Sequence, residues 1–282
     1  MAANALNIYS AAETKDKLAE LYGNLIEGIQ KGAISEQIKN KDYSGDPTTG
    51  SVKVDRFKNA VAAAYGTART AGKGDALMNN GKVTIDIDTD KEIVEEIEEK
   101  DVRLFGIANI IARRVDNHVK RMVANLDSAF FAAAEAAGTA VTLGADITAP
   151  EDIAEALIQS IETVKNDWVD GVDRDDIVLT LSPALYGKLR NKLDMVTLPT
   201  ADAGAKEIPM FHGVRIFSNV RQTADAIVMV NGAVAQPVLV NEYQDEKINL
   251  SNAHGVELFY SYGTKAVAAD LIKKLTLGGE SS

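Results

Sequence analysis

The feature that most restricts the fold is one apolar stripe through residues 101–137. Its members recur at the three- and four-residue spacing of an α-helix. They are Leu104, Ile107, Ala108, Ile111, Val115, Val119, Met122, Leu126, Ala129 and Ala133. Gly138 follows as a helix stop, and about 35 helical residues would form a rod of roughly 50 Å. The stripe predicts an elongated subunit built around one long helix.

Two alternating segments earlier in the chain frame a glycine-rich stretch. Residues 51–56 alternate like a strand, and in 83–88 three apolar residues alternate with Thr and Asp. The intervening residues include Gly66, Gly72, Gly74, Asn79, Asn80 and Gly81. A compact domain seldom contains so long a loop unless it acts outside that domain. The pattern predicts two strands joined by a long excursion.

The remaining elements can be assigned from caps and periodicity. A capping box at Ser10–Glu13 opens a helix over 10–31, whereas residues 89–100 suit either a helix or a strand. A second capping pattern at Thr148–Glu151 predicts a helix that runs to about Val169 and includes Trp168 on its apolar face. Residues 176–181 read as a buried strand, Ser182 as the cap of a short helix, and the chain beyond Pro199 as β-rich.

Composition excludes several classes of protein. The hydrophobic fraction is 46% and the charged fraction 25%, which is ordinary for a globular chain. A net charge of −11 argues against a general nucleic-acid binder. The absence of cysteine excludes disulfides, thiolate zinc sites and a cysteine nucleophile. We expect neither a signal peptide nor a membrane segment.

Several segments resemble known ligand-binding or catalytic motifs, but their residue spacing does not match those motifs. Residues 66–74 resemble a phosphate loop but lack its glycine spacing and its Ser/Thr. Asp86, Asp88 and Asp90 resemble the start of a calcium loop, but its glycine and glutamate positions hold Lys91 and Ile97. The three histidines are dispersed, and Ser182 lies on no nucleophile elbow. We therefore predict no catalytic, cofactor or metal site.

Two charged groups are candidates for contacts between subunits. Asp86, Asp88 and Asp90 would share one face of a strand, either solvated or facing a basic partner. The densest basic group lies on the long helix and comprises Arg113, Arg114, Lys120 and Arg121. It is either a solvated face with an Asp116–Lys120 pair or a subunit contact. Arg69 and Lys73 in the glycine-rich excursion complete the candidate set.

The order of these elements resembles the major capsid protein of tailed double-stranded DNA bacteriophages, with the Hong Kong 97-type fold. The resemblance rests on residues 52–60, 83–88, the long helix containing Asp127, 148–168, 177–190 and the closing 255–263. It implies an α+β fold with an N-terminal arm (1–45), an extended β-hairpin loop (46–100) and a peripheral domain with a spine helix (101–148). An axial domain (149–240) and closing peripheral strands with a tail (241–282) complete the implied division.

The resemblance also implies a function. The chain would be a structural protein, not an enzyme, and would self-assemble through hexamers and pentamers into the icosahedral head. It would contact packaged double-stranded DNA weakly, use a separate scaffolding protein and a portal, and assemble in the host cytoplasm into the virion capsid. An encapsulin-like compartment shell is the alternative within the same fold. A hydrolase or transferase with a dispersed site is the alternative from another class.

Overall fold

The computed structural model of the protein describes residues 11–59, 64–65, 81–198 and 206–277. Its helices are α1 (Ala11–Gly32), α2 (Ile34–Ile38), α3 (Glu99–Phe105), α4 (Ile107–Ala112), α5 (Val115–Ala137), α6 (Pro150–Glu162) and α7 (Pro183–Leu189). Its strands are β1 (Ser51–Arg56), β2 (Gly81–Asp86), β3 (Thr89–Glu98), β4 (Thr139–Ala140), β5 (Ile177–Leu181), β6 (Asp194–Leu198), β7 (Lys206–Phe211), β8 (Val214–Ser218), β9 (Ala226–Val230), β10 (Val234–Ala235), β11 (Val238–Val240), β12 (Gln244–Lys247), β13 (Ala253–Tyr262), β14 (Lys265–Ala266) and β15 (Ile272–Leu275).

The predicted hairpin is confirmed. Strands β1 and β2 pair antiparallel, from Ser51 opposite Asp86 to Arg56 opposite Gly81. The inward residues Val52, Val54 and Ile85 are buried, as the two-residue alternation requires. Most of the excursion between the two strands lies outside the described residues.

The ambiguous segment is a strand that continues into a helix. All ten residues of β3 pair antiparallel with β13, from Thr89 opposite Tyr262 to Glu98 opposite Ala253. Helix α3 then begins at Glu99. The strand forms because a partner from the far end of the chain supplies its hydrogen bonds, which no local pattern could reveal.

The single helix over residues 101–137 is wrong, because the chain interrupts it twice. Gly106 adopts φ +75° and ψ +146°, which separates α3 from α4. A turn at Arg113 and Arg114 then separates α4 from α5. The continuous part, α5, has 23 residues and ends at Gly138 as expected. At 1.5 Å per residue its length is about 35 Å.

Helices α1 and α5 cover one face of the β3–β13 sheet. Their apolar residues form a single core with the inward side chains of the two strands, including Leu25, Met122, Leu126, Leu258 and Tyr260. A Cβ on Gly28 would lie 2.9 Å from Val119, and one on Gly32 would lie 3.5 Å from Val123. The two helices therefore run in the same direction.

A seven-stranded sheet forms the other half, in the order β4-β15-β9-β5-β8-β7-β6. Every residue of β5 is buried, which confirms the predicted core strand. Ser182 Oγ accepts a hydrogen bond from Leu185 N, so its capping role is also confirmed. Helix α6 is shorter than predicted: it ends at Glu162, Thr148 does not cap it, and Trp168 lies in the following turn.

Candidate interaction surfaces

The three aspartates do not share a strand face, which corrects the prediction. Asp86 is the last residue of β2, Asp88 lies between strands, and Asp90 belongs to β3. The chain changes sheets here, so the alternation across 83–90 does not continue on one strand. All three carboxylates are exposed, and Asp90 accepts a hydrogen bond of 2.7 Å from Ser261 Oγ.

The four basic residues predicted on the long helix have different environments. Arg114 is engaged within the subunit, with Nη2 2.6 Å from Glu95 Oε1. Arg113 lies with its guanidinium carbon 5.6 Å from the centre of the Phe105 ring. Lys120 and Arg121 are exposed on α5. Arg69 and Lys73 fall outside the described residues. Among the described residues, no ion pair joins Asp86, Asp88 or Asp90 to the basic residues of the helix within one subunit.

A buried polar network lies beneath Arg114. His118 is 1% exposed; its Nδ1 is 2.9 Å from Tyr243 OH and its Nε2 is 3.2 Å from Glu95 Oε1. Burial alone would raise the pKa of Glu95, but hydrogen bonds from Arg114 and His118 outweigh it and hold that pKa below its ordinary value. Burial and the Glu95 charge raise the pKa of Tyr243. Both ring nitrogens of His118 thus have partners, and the contact with Glu95 links α5 to β3.

The end of the hairpin from which the excursion begins is clasped to the body of the subunit. Arg56 at the end of β1 binds Asp270 with both guanidinium nitrogens, the Nη2–Oδ2 distance being 2.8 Å. Its guanidinium carbon lies 5.1 Å from the centre of the Trp168 ring. A bidentate pair with a stacked aromatic fixes direction as well as distance. We call Arg56, Trp168 and Asp270 the hairpin clasp.

Further contacts reinforce the clasp. Lys58 Nζ lies 3.0 Å from Asp167 Oδ2, and Asn59 N donates to Asp167 O. Burial alone would raise the pKa of Asp270, but hydrogen bonds from Arg56 and Asn166 lower it below its ordinary value. A Cβ at Gly81 would lie 3.2 Å from the Trp168 ring. These contacts hold the Arg56–Gly81 end of the hairpin against the body of the subunit.

The outer face of the β3–β13 sheet is acidic. Inward residues such as Ile97, Val256, Leu258 and Tyr260 are buried, so the alternate positions point away from the helices. On β3, β13 and the paired end of β12 these outward positions carry Asp90, Glu92, Glu96, Glu98, Glu246 and Glu257. None of the outward positions on β3 and β13 is Lys or Arg. We call this surface the acidic sheet face.

Neither the clasp nor the acidic sheet face was predicted from the sequence. The run Glu92–Glu98 contained part of the signal for the face, since Glu92, Glu96 and Glu98 occupy one phase of a two-residue period and Glu95 the other. The sequence left open whether this run forms a strand or a helix. The clasp joins Arg56 to residues more than a hundred positions away, and no local pattern indicates it.

Within the described residues we looked for a cluster of metal-binding side chains and for a membrane-spanning helix. No group of three or more His, Cys, Asp or Glu side chains there could hold a metal ion. His212 and His254 each face one carboxylate, Glu155 and Glu99. No helix in the described part of the chain is long and apolar enough to cross a bilayer.

Comparison with known proteins finds similar solved structures but no similar sequence. No model of a known protein family matches the chain, and no curated protein sequence matches it. Among solved structures, a capsid chain of the cyanophage P-SCSP1u has a TM-score of 0.55 at 13% identity, covering 87% of this chain and 88% of that one.

Two further structures are similar over most of their length. The capsid of an empty GTA particle gives a TM-score of 0.58 at 12% identity, covering 86% of this chain and 89% of that one. A virus-like particle from Pyrococcus furiosus gives 0.57 at 12% identity, covering 91% and 98%. The mixed helix and sheet capsid fold predicted from the sequence is therefore confirmed: this chain has the fold of these shell-forming structures.

Proposed function

We propose that this chain is the major capsid protein of a tailed bacteriophage, a structural subunit whose copies assemble into the head. The observation that carries the proposal is the structural match to capsid chains over most of both chains. Fold alone does not dictate function, so the surfaces of this subunit must also suit a shell.

The clasped hairpin supports the proposal. A shell tiles by repeated heterologous contacts, in which one surface of each copy meets a different surface of the next. An arm that leaves its subunit in a fixed direction can contact a neighbour reproducibly. The clasp at Arg56 and Asp270 would fix the point on the subunit at which such an arm begins.

Charge supports weak contact with packaged DNA. The net charge of −11 and the acidic sheet face give the subunit little attraction for phosphates. We propose that hexamers and pentamers of the chain enclose double-stranded DNA without sequence specificity. A separate scaffolding protein, a portal and assembly in the host cytoplasm belong to the same proposal, as does the division into arm, extended loop, peripheral and axial domains.

The charged candidates keep their proposed role between subunits. We propose that Asp86, Asp88 and Asp90 of one copy face Arg113, Arg114, Lys120 and Arg121 of another. Arg69 and Lys73 in the excursion are further proposed contacts. Arg114 also pairs with Glu95 of its own subunit, and its side chain is 47% exposed.

A compartment shell that contains protein cargo is the second candidate, favoured by the match to the virus-like particle from Pyrococcus furiosus. Electron microscopy of the purified protein tests both candidates. Closed hollow particles of uniform size support a shell, and a monodisperse small oligomer under all assembly conditions contradicts it. Nuclease-protected DNA in particles from infected or induced cells identifies a phage head, whereas a co-purified protein without DNA identifies a compartment.

A further inference from the structure

The turn between β12 and β13 holds a leucine in a strained and exposed position. Ser251 N donates to Ile248 O at 3.2 Å and closes the turn. Leu250 is the third residue of this turn and has φ +60°. Glycine and asparagine are preferred there, because with a positive φ the Cβ atom comes close to the following carbonyl oxygen. Leu250 is nonetheless fully exposed, so its side chain gains no burial in its own subunit in return for this strain.

We call residues 248–252 the Leu250 knob. No other large apolar residue that is exposed within the described ranges has a positive φ. Backbone strain of this kind persists where a functional contact requires it. The five residues of the knob carry no charged side chain, so covering the knob would leave no charge buried without a partner. The knob therefore has the properties of a segment that enters an apolar site on another surface.

The chain also carries an open apolar groove. It lies between β3 residues 95–98 and the helices α3 and α4, and its volume is about 450 Å³. Phe105 and Ile110 contribute to its apolar wall, and Phe105 is 45% exposed although it is aromatic. Ligand pockets have volumes of about 300–1,000 Å³. The groove is therefore large enough for an apolar side chain and part of the turn that carries it.

The charged side chains that line the groove have both signs. They are Glu95, Glu96, Glu98, Asp101, Arg113 and Arg114. A strongly acidic or a strongly basic occupant would be repelled by one of the two sets, whereas a neutral turn is repelled by neither. Glu246 and Lys247 are exposed immediately before the knob, so one charge of each sign is available to the lining. The knob thus suits the groove in charge as well as in polarity.

The knob and the groove lie at the same end of the β3–β13 sheet. Ala253 pairs with Glu98, and Glu99 N donates to Asn252 O at 2.9 Å, so the knob adjoins the end of β3 that lines the groove. The full exposure of Leu250 shows that it does not fill the groove of its own subunit. Two copies that meet at this end of the sheet can bring the knob of one to the groove of the other.

We propose that Leu250 of one copy inserts into the groove of a neighbouring copy, against Phe105 and Ile110. One surface of the subunit then meets a different surface of the next, which is a heterologous contact that can repeat from copy to copy. The contact rests on the proposed function, since it names one place where the copies of a shell would meet. It also accounts for a leucine at a position that favours glycine.

Engineered disulfides test the contact directly, because the natural chain contains no cysteine. Leu250→Cys and Phe105→Cys are made as separate chains of different mass, mixed before assembly and mildly oxidised. We expect a mixed disulfide dimer as the main crosslinked product. The control mixes Leu250→Cys with Val220→Cys, because Val220 is also exposed but does not line the groove. This second mixture should give only traces of the mixed dimer.

A second variant separates the contact from the stability of the subunit. Leu250→Gly removes the apolar side chain and relieves the strain of the positive φ. Association of the chain, followed by sedimentation velocity over a concentration series, should weaken by about tenfold or more, as expected for one leucine that is no longer buried. The urea midpoint of the variant should not fall below that of the wild type. Asn249→Ser in the same turn is the matched control and should leave association unchanged.

Two results would overturn the contact. One is a Leu250–Phe105 mixed disulfide no more abundant than that of the Val220 control, and the other is Leu250→Gly associating as tightly as the wild type. Closed particles that lack the disulfide would overturn the contact and leave the proposed shell intact. Small oligomers that contain the disulfide, with no closed particles, would support the contact and contradict the shell.

Discussion

At the scale of single residues, Asp127 shows how a buried charge can organise a fold. It is fully buried on α5. Its Oδ1 accepts a hydrogen bond of 3.0 Å from Ser35 N and its Oδ2 one of 3.4 Å from Ile34 N. Arg221 Nη1 lies 3.5 Å from Oδ2. The carboxylate thus receives the otherwise unpaired N–H groups at the start of α2 and ties that helix to α5.

The ionisation of Asp127 should oppose folding at neutral pH. Burial raises the pKa of Asp127, and the hydrogen bonds from Ser35 and Ile34 and the Arg221 charge do not compensate. A raised pKa means that the folded state binds the proton more readily, so stability is lost as pH rises through it. Asp127→Asn removes this ionisation but also one of the two accepting oxygens, a loss that applies at every pH. The stability of the variant relative to the wild type should therefore be highest at neutral pH and should decrease as pH falls toward the ordinary Asp pKa, about 3.9.

Urea unfolding at neutral and acidic pH measures this difference. The matched control is Asp116→Asn, which removes an exposed carboxylate from the same helix. A gain for Asp127→Asn that increases toward acidic pH would contradict the sign of the shift. The difference between the variants is the quantity to follow, because other carboxylates titrate in the same range.

At the scale of elements, α5 is the main packing surface of the half built on β3 and β13. Leu126 is fully buried in that core, so Leu126→Ala should reduce the free energy of unfolding by about 2–5 kcal/mol. Ser128→Ala on the exposed side of α5 should change it by less than about 0.5 kcal/mol. Chemical denaturation of the two variants checks the contrast, and equal stabilities would place Leu126 outside the core.

The hairpin clasp can be followed through Trp168, the one tryptophan of the chain. Arg56→Ala removes the ion pair to Asp270 and the nearer of two cations beside the indole ring, the other being Lys58. We expect the emission of Trp168 to shift to longer wavelength and its quenching by a soluble quencher to increase. Lys53→Ala, on an exposed position of the same strand, serves as the control. Identical spectra for the wild type and Arg56→Ala would show that Arg56 does not shield the ring.

At the scale of the whole molecule, the excursion between β1 and β2 should matter for assembly rather than for folding. Deleting residues 60–80 leaves Phe57, Lys58 and Asn59 between Arg56 and Gly81, the last pair of the two strands, and three-residue loops are common in antiparallel hairpins. The shortened subunit should unfold cooperatively near the wild-type temperature but form no closed particles. Circular dichroism and electron microscopy measure the two properties separately. Loss of cooperative unfolding would show instead that the excursion belongs to the core.

The proposed charge pairing between copies predicts a compensating effect. Changing Asp86, Asp88 and Asp90 to Lys should block assembly, and adding Arg113→Glu and Arg121→Glu should partly restore it. Each exposed pair contributes only about 0.2–1 kcal/mol, but a shell repeats it in every copy and assembly should weaken with added salt. Light scattering across a salt series follows the effect. A combined variant that assembles no better than the first would leave the aspartates as a solvated surface.

The sequence by itself determined the elements whose information is local. The buried strand at 177–181, the Ser182 cap, the N-terminal helix and the β1–β2 hairpin follow from periodicity and capping within a few residues. The order of these elements also indicated the capsid fold. The candidate charges were found as residues, because charge is visible in composition. Their grouping was not, because it depends on which strand each residue joins.

Tertiary structure decided everything that depends on a distant partner. Residues 89–98 became a strand because β13 pairs with them from the far end of the chain. That pairing placed Glu92, Glu96 and Glu98 on one acidic face and turned Glu95 toward His118 and Arg114. The apolar stripe over residues 101–137 has an unbroken helical period in the sequence. The backbone nevertheless leaves the helix at Gly106 and again at Arg113 and Arg114. The clasp required Arg56, Trp168 and Asp270 to meet in space. Side-chain identity sets what each residue can do, but only packing decides which residues face each other.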